Sequence, residues 1–241
     1  MISSKIQQIE NINNLSKTIL ASVAIFLAGY IQTSVLDNKI DNKVLAILII
    51  AVTLLICVEV GSIVIEYFIN NNSWIRKIIL GEEFFEGLWI DVTEIKTYAL
   101  IRIKYEKGFY LLQGESYNSD GELLGTWKSV NSWISNGKLE CYYKGNYDDQ
   151  VSDFDGRNEF SFMCSNGKIP CRFTGYYMDI VTEFRQYRII GERIEKDIEI
   201  KLTNPSEIKN FIKKWGEENS GVLIDKSKKT IANNGNRCTT L

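Results

Sequence analysis

The chain has 241 residues, 45% hydrophobic and 24% charged, with 28 Lys and Arg against 30 Asp and Glu, two prolines, five cysteines and no histidine. Without histidine there is no Ser-His-Asp triad, no Cys-His dyad and no His-ligated zinc. A net charge of −2 argues against gripping long nucleic acid by counterion release, and the odd, scattered cysteines (Cys57, Cys141, Cys164, Cys171, Cys238) form no C-x-x-C pair, which suits a reducing compartment.

Hydrophobicity is concentrated near the N-terminus. Thr18 to Leu36 is a run without charge, flanked by Lys17 and Asp37. At 1.5 Å per residue it is about long enough to cross a hydrocarbon core of ~30 Å. A second apolar run extends from Val44 to Ile69, interrupted by Glu59 and Glu66. The linker between them is too short to be a domain. The pair therefore predicts a transmembrane helical hairpin, residues 18–36 and 44–69, behind an N-terminal segment 1–17. A cleaved signal peptide is the alternative for the first run, and a pair of soluble core helices for both.

Lys5 and Lys17 precede the first run and Arg76 and Lys77 follow the second, while Lys39 and Lys43 lie between them. Positive-inside logic then places both termini in the cytoplasm. Glu59 has two readings. Either the helix is already leaving lipid there, or Glu59 makes a polar contact between helices, with Gly61 and Ser62 permitting close approach.

From about Gly81 the composition becomes aromatic, β-branched and punctuated by glycine. Eight strands are expected: Glu86–Glu94, Thr97–Tyr105, Phe109–Ser116, Glu122–Ile134, Lys138–Lys144, Asn158–Cys164, Ile169–Met178 and Glu183–Arg193. Asn136-Gly137 and Asn166-Gly167 have the composition of two-residue hairpin turns. Glu106–Gly108 and Asn118–Gly121 are polar loops, and Gly145–Arg157 is a long acidic connection. No helix intervenes for a crossover, so the strands predict an up-and-down antiparallel meander over 81–203. Closed, it makes an all-β soluble domain, an eight-stranded lipocalin- or streptavidin-like barrel around one small ligand. A two-sheet sandwich is the alternative.

Loop geometry predicts register. With Asn118–Gly121 as the loop, Gly114 faces Gly125 and Leu112 faces Trp127, and the two opposed glycines leave space for a ligand or a barrel corner. Across the next turn Ser135 pairs with Lys138, and Tyr142 lies near Asn131 on the Trp127 side. A bulge in the long fourth strand would switch its faces midway. After the eighth strand, Asp197–Leu202 reads as a short extra strand. Asn204-Pro205-Ser206-Glu207 starts a helix over 204–216, and 217–241 reads as a disordered polar tail.

Catalytic chemistry finds little support. Asp91, Asp179 and Glu183 are carboxylates without a shared motif and read as solvated strand ends. No phosphate loop or nucleophile elbow occurs, and neither a cofactor nor a metal is called for. Binding is better supplied. Tyr110, Trp127, Tyr142 and Tyr177 offer stacking rings, and Lys128, Arg172 and Arg188 offer cations to phosphate. The plainer alternative puts the rings in a core and the cations outside.

Further motifs run through the barrel region: Gly87-Leu88-Trp89, Gly114 with Asp120-Gly121 and Gly125-Thr126-Trp127-Lys128-Ser129, Phe173-x-Gly175-x-Tyr177-x-Asp179, and Gly191-x-Arg193. Together with two N-terminal spans, the chain resembles the two-transmembrane, β-strand-rich effectors of bacterial CBASS anti-phage defence. That resemblance implies a barrel sensing a cyclic oligonucleotide made by a partner nucleotidyltransferase. It further implies homo-oligomerisation of the spans on activation, disruption of the bacterial inner membrane and death of the infected cell. A membrane-anchored lipocalin-like binder of an apolar molecule is the competing expectation.

Overall fold

The computed structural model describes residues 4–31, 43–106, 108–147, 153–164, 169–179 and 185–229. The chain divides into two compact units, Ser4–Ile79 and the part from Leu80 onward.

The first unit holds helices α1 (Ser4–Ile31), α2 (Lys43–Asn71) and α3 (Ser73–Leu80). In α1 the hydroxyls of Thr18 and Ser22 donate to the carbonyls of Asn14 and Thr18, one turn back, so the apolar stretch satisfies its own polar groups. A Cβ on Gly61 would come within 2.7 Å of Leu20 Cδ1, so α1 and α2 pack closely at this point. Arg76 donates to the carbonyls of Ile69 and Asn70, two acceptors that the end of α2 leaves without helical partners. Among the described residues one helical stretch, Ala51–Asn71, is long and apolar enough to cross a membrane, and Asn14–Phe26 is a shorter apolar helix. Residues 32–36 of the expected first span lie outside the described residues.

The second unit contains eight antiparallel strands: β1 (Gly87–Thr93), β2 (Tyr98–Glu106), β3 (Phe109–Tyr117), β4 (Leu123–Ser135), β5 (Lys138–Tyr147), β6 (Asp153–Cys164), β7 (Pro170–Asp179) and β8 (Gln186–Arg193). Each pairs with its sequence neighbour, and β1 also pairs with β8, so the meander closes into a barrel rather than splitting into a sandwich. Closure removes the sheet edges. Asn136 and Gly137 take φ of 52° and 74°, as a two-residue hairpin turn requires. Asn166-Gly167 lies outside the described residues.

Two bulges decide which side chains face inward. Tyr117 pairs with Leu123 but Ser116 pairs with Gly125, leaving Leu124 as an extra residue. The shift sets Gly114 opposite Trp127, which corrects the expected Gly114–Gly125 pairing. A second irregularity, between Ser129 and Asn131, switches the faces of β4 midway. Trp127 and Ile134 are consequently both buried, and Tyr142, though paired with Asn131 as expected, faces away from Trp127.

Three boundaries also move. β5 runs on to Tyr147 and β6 begins at Asp153, so the expected 145–157 connection is mostly strand. Lys196–Glu199 is a short helix, α4, not a ninth strand, because the closed barrel has no edge to accept one. The last helix, α5 (Pro205–Lys229), continues well past residue 216 into sequence expected to be disordered. Its start is as read: Asn204 Oδ1 accepts the Glu207 N–H at 3.0 Å, and the Glu207 carboxylate accepts the Thr203 N–H at 3.2 Å. Ile212 and Trp215 of α5 pack on the outer face of β1 and β2, against Leu88, Ile90, Val92, Tyr98 and Leu100. Both faces of β1 are therefore buried.

Candidate ligand-binding site

The two ends of the barrel differ in chemistry. At the end where β1 begins and β8 finishes, Arg193 donates to three carbonyls, Pro170 at 2.9 Å, Glu86 at 2.6 Å and Phe84 at 2.7 Å. Its guanidinium stacks 4.6 Å from the Trp89 ring centroid. Burial lowers its pKa to about 10, which leaves it charged at neutral pH. Trp89 Nε1 donates to the Phe85 carbonyl at 2.8 Å, and Phe85 stacks on Phe162 at 4.1 Å. This end is filled by side chains.

The opposite end holds a partly open cavity of about 240 Å³. Its wall is aromatic: Tyr143 lies 5.3 Å from Trp127, 6.2 Å from Phe154 and 6.4 Å from Tyr177, centroid to centroid. Glycines on neighbouring strands make room for these rings. A Cβ on Gly114 would sit 2.1 Å from the Trp127 indole, and one on Gly156 would sit 2.2 Å from the Tyr143 hydroxyl. The space expected beside Gly114 is thus taken by Trp127 itself.

The polar part of the lining is Asp91, Asn158 and Asp179, with Thr93, Thr97 and Ser116 nearer the turns. None of the described lining residues is Lys or Arg. Asp91 and Asp179 are each 5% exposed, which corrects the reading of both as solvated strand ends. Desolvation raises the Asp91 pKa to about 8, only partly offset by a hydrogen bond from the Ala99 backbone, so at neutral pH this carboxyl is mostly protonated. Asn158 is 4% exposed and its Oδ1 has no hydrogen-bond partner. Its side chain instead engages Cys141, whose thiol burial pushes up to about 12.

Of the seven ligand contacts expected from the sequence, the structure brings two to the cavity, Trp127 and Tyr177. Tyr110 is interior but belongs to the filled end, where its hydroxyl donates to the Glu83 carbonyl and accepts the Phe85 N–H. Lys128 and Arg188 are exposed on the outer surface, opposite in register to Gln113 and Tyr176. Arg172 also faces outward and lies 3.9 Å from Glu192. Tyr142 donates to Asp155 outside the barrel. The physical reason is common to all four: strand periodicity places them on the solvent face, where a long cation keeps its hydration. Glu59 is exposed on α2, and the close approach at Gly61 is made to Leu20 of the same chain.

Sequence reasoning missed Asn158 and Tyr143 as cavity residues and undervalued Asp91 and Asp179. Period two was the available signal, since Asp91 shares a face with Trp89, and Asp179 with Tyr177. Among the described residues no group of three His, Cys, Asp or Glu could hold a metal. Cys57 and Cys141 carry free thiols. No protein-family model and no curated protein matches the chain.

Proposed function

We infer that the chain is a membrane-tethered sensor, a binding protein rather than an enzyme, whose barrel receives a cyclic oligonucleotide and whose N-terminal helices act on the membrane in response. The observation that carries this reading is an aromatic-walled, partly open cavity in a closed barrel that follows an apolar, span-length helix in the chain. Flat rings are the stacking partners a base uses, and the order of helices and motifs resembles the CBASS effectors. On this reading both apolar runs lie in the bacterial inner membrane with the barrel in the cytoplasm. A partner nucleotidyltransferase supplies the messenger, and bound ligand favours an association-competent state from which the helices self-associate and breach the bilayer. Such a shift extends only as far as the ligand's differential affinity for the two states.

The direct test uses full-length protein in dye-loaded liposomes, challenged with a panel of cyclic di- and trinucleotides. Dye release is expected with at least one of the panel and not with linear dinucleotides. Release without any ligand, or none with every ligand, would overturn the reading. A second reading, a membrane-anchored binder of an apolar molecule, is favoured by the lack of Lys or Arg among the described lining residues. It predicts instead that fatty acids bind the same protein and that no dye escapes.

A further inference from the structure

If the barrel receives a cyclic oligonucleotide, as inferred above, the cavity is selective about which part of that ligand it admits. We propose that a nucleobase enters the barrel, held along its edge by Asn158 and Asp91 and stacked against the aromatic wall, while the phosphodiester backbone remains outside the cavity.

Size is the first reason. The cavity is small, about 240 Å³. Sites that bury a drug-sized ligand run to about 300–1,000 Å³. A space of that size suits one ring system, and because the cavity is partly open the rest of a larger ligand can lie outside it. Shape is the second. Trp127, Tyr143, Phe154 and Tyr177 present planar faces to the space.

Charge and hydrogen bonding are the third, and they discriminate most. A phosphate inside would meet two buried acidic side chains and no Lys or Arg among the described lining residues. Apart from the bulge at Leu124, the strand N–H groups around the cavity pair in the ladder, so few are left to make a nest for an anion. A hydrocarbon tail would leave the Asn158 amide and the two carboxyls of the lining facing apolar surface. Polar groups left so are costly, and the edge of a base offers them hydrogen-bond partners. Asp91, buried in the same lining, accepts a donor when ionised and offers one when protonated. Adenine, guanine and cytosine edges carry both amino donors and ring acceptors, so they suit such a lining; uracil offers a single N–H.

The test uses the full-length protein in detergent micelles, with binding followed through tryptophan fluorescence and calorimetry. The probes are the cyclic dinucleotide panel, the four free nucleosides, ribose 5-phosphate and inorganic pyrophosphate. At least one amino-bearing nucleoside is expected to bind and to displace the tightest cyclic dinucleotide, with ribose 5-phosphate and pyrophosphate inert. Asn158→Ala is expected to weaken that dinucleotide about ten-fold, the scale of one lost hydrogen bond. Lys128→Ala, on the outer face, leaves it unchanged. Displacement by the phosphate compounds and not by nucleosides would overturn the proposal while leaving the sensor reading intact. Nucleoside binding without any cyclic dinucleotide binding would remove the sensor reading and keep the base-binding cavity. Because nucleoside competition is measured on the unaltered chain, the outcome does not depend on any variant folding.

Discussion

Asp91 is held in the barrel wall at a cost that depends on pH. Its folded pKa of about 8 stands well above the roughly 3.9 of an unfolded aspartate. Between those values the folded state binds more protons than the unfolded state, so stability falls as pH rises, by up to about 1.4 kcal/mol per unit. The contribution is intact below about pH 4 and lost as pH passes through about 8. Asp91→Asn removes the ionisation and keeps the size. Urea unfolding at stepped pH should show the variant gaining on the parent steadily between about pH 5 and pH 8. Parallel profiles would mean that the Asp91 carboxyl is not desolvated. At the same scale, Arg193 illustrates a charge whose burial is compensated, since three carbonyls and the face of Trp89 replace its lost water.

Elements were more legible in the sequence than the side-chain directions within them. All eight strands are present, because period-two patterning and glycine turns such as Asn136-Gly137 act locally and leave local marks. The site was less legible for a physical reason. The extra residue at Leu124 and the irregularity near Val130 each move a strand by less than a turn of sequence, yet they decide whether Trp127 or Tyr142 points inward. Aromatics occur on both faces of β4 and β5, so hydrophobicity could not reveal the bulges. The acids of the lining were read as solvated for a similar reason: burial of Asp91 depends on barrel closure, a contact between the first and last strands.

Helix α5 shows what an element adds beyond propensity. It covers an apolar cluster on the outside of β1 and β2, whereas the cavity lies inside. Ile212 is fully buried there. Ile212→Ala should therefore cost about 2–5 kcal/mol of barrel stability. Affinity for whatever ligand the barrel takes should fall much less, since of the residues in that cluster only Tyr98 also lines the cavity. Denaturant unfolding and ligand titration of the same variant separate the two effects. Equal losses in both would show that α5 and the cavity are energetically coupled.

For the whole molecule, the open question is where the apolar surface of the first unit goes. Leu55, Ile56, Val60, Ile63, Tyr67 and Phe68 of α2 are all exposed; Ile56, Val60, Ile63 and Tyr67 share one stripe, flanked by Leu55 and Phe68, while the Gly61 and Ser62 side is turned to α1. An exposed apolar face of that width needs another apolar phase to cover it. Cys57 reports on that phase directly. It is a free, exposed thiol four residues from Gly61, the midpoint of Ala51–Asn71, or about 6 Å along the axis. Only the thiolate in contact with water reacts with a membrane-impermeant maleimide, and a hydrocarbon core of ~30 Å supplies neither condition. With the full chain in native membranes, Cys57 should stay unlabelled, and it should label rapidly once SDS removes the lipid, with peptide mass spectrometry distinguishing it from Cys141 and Cys164. Equal labelling before and after SDS would place α2 in water and remove the membrane from the mechanism, leaving the barrel as a binding domain alone.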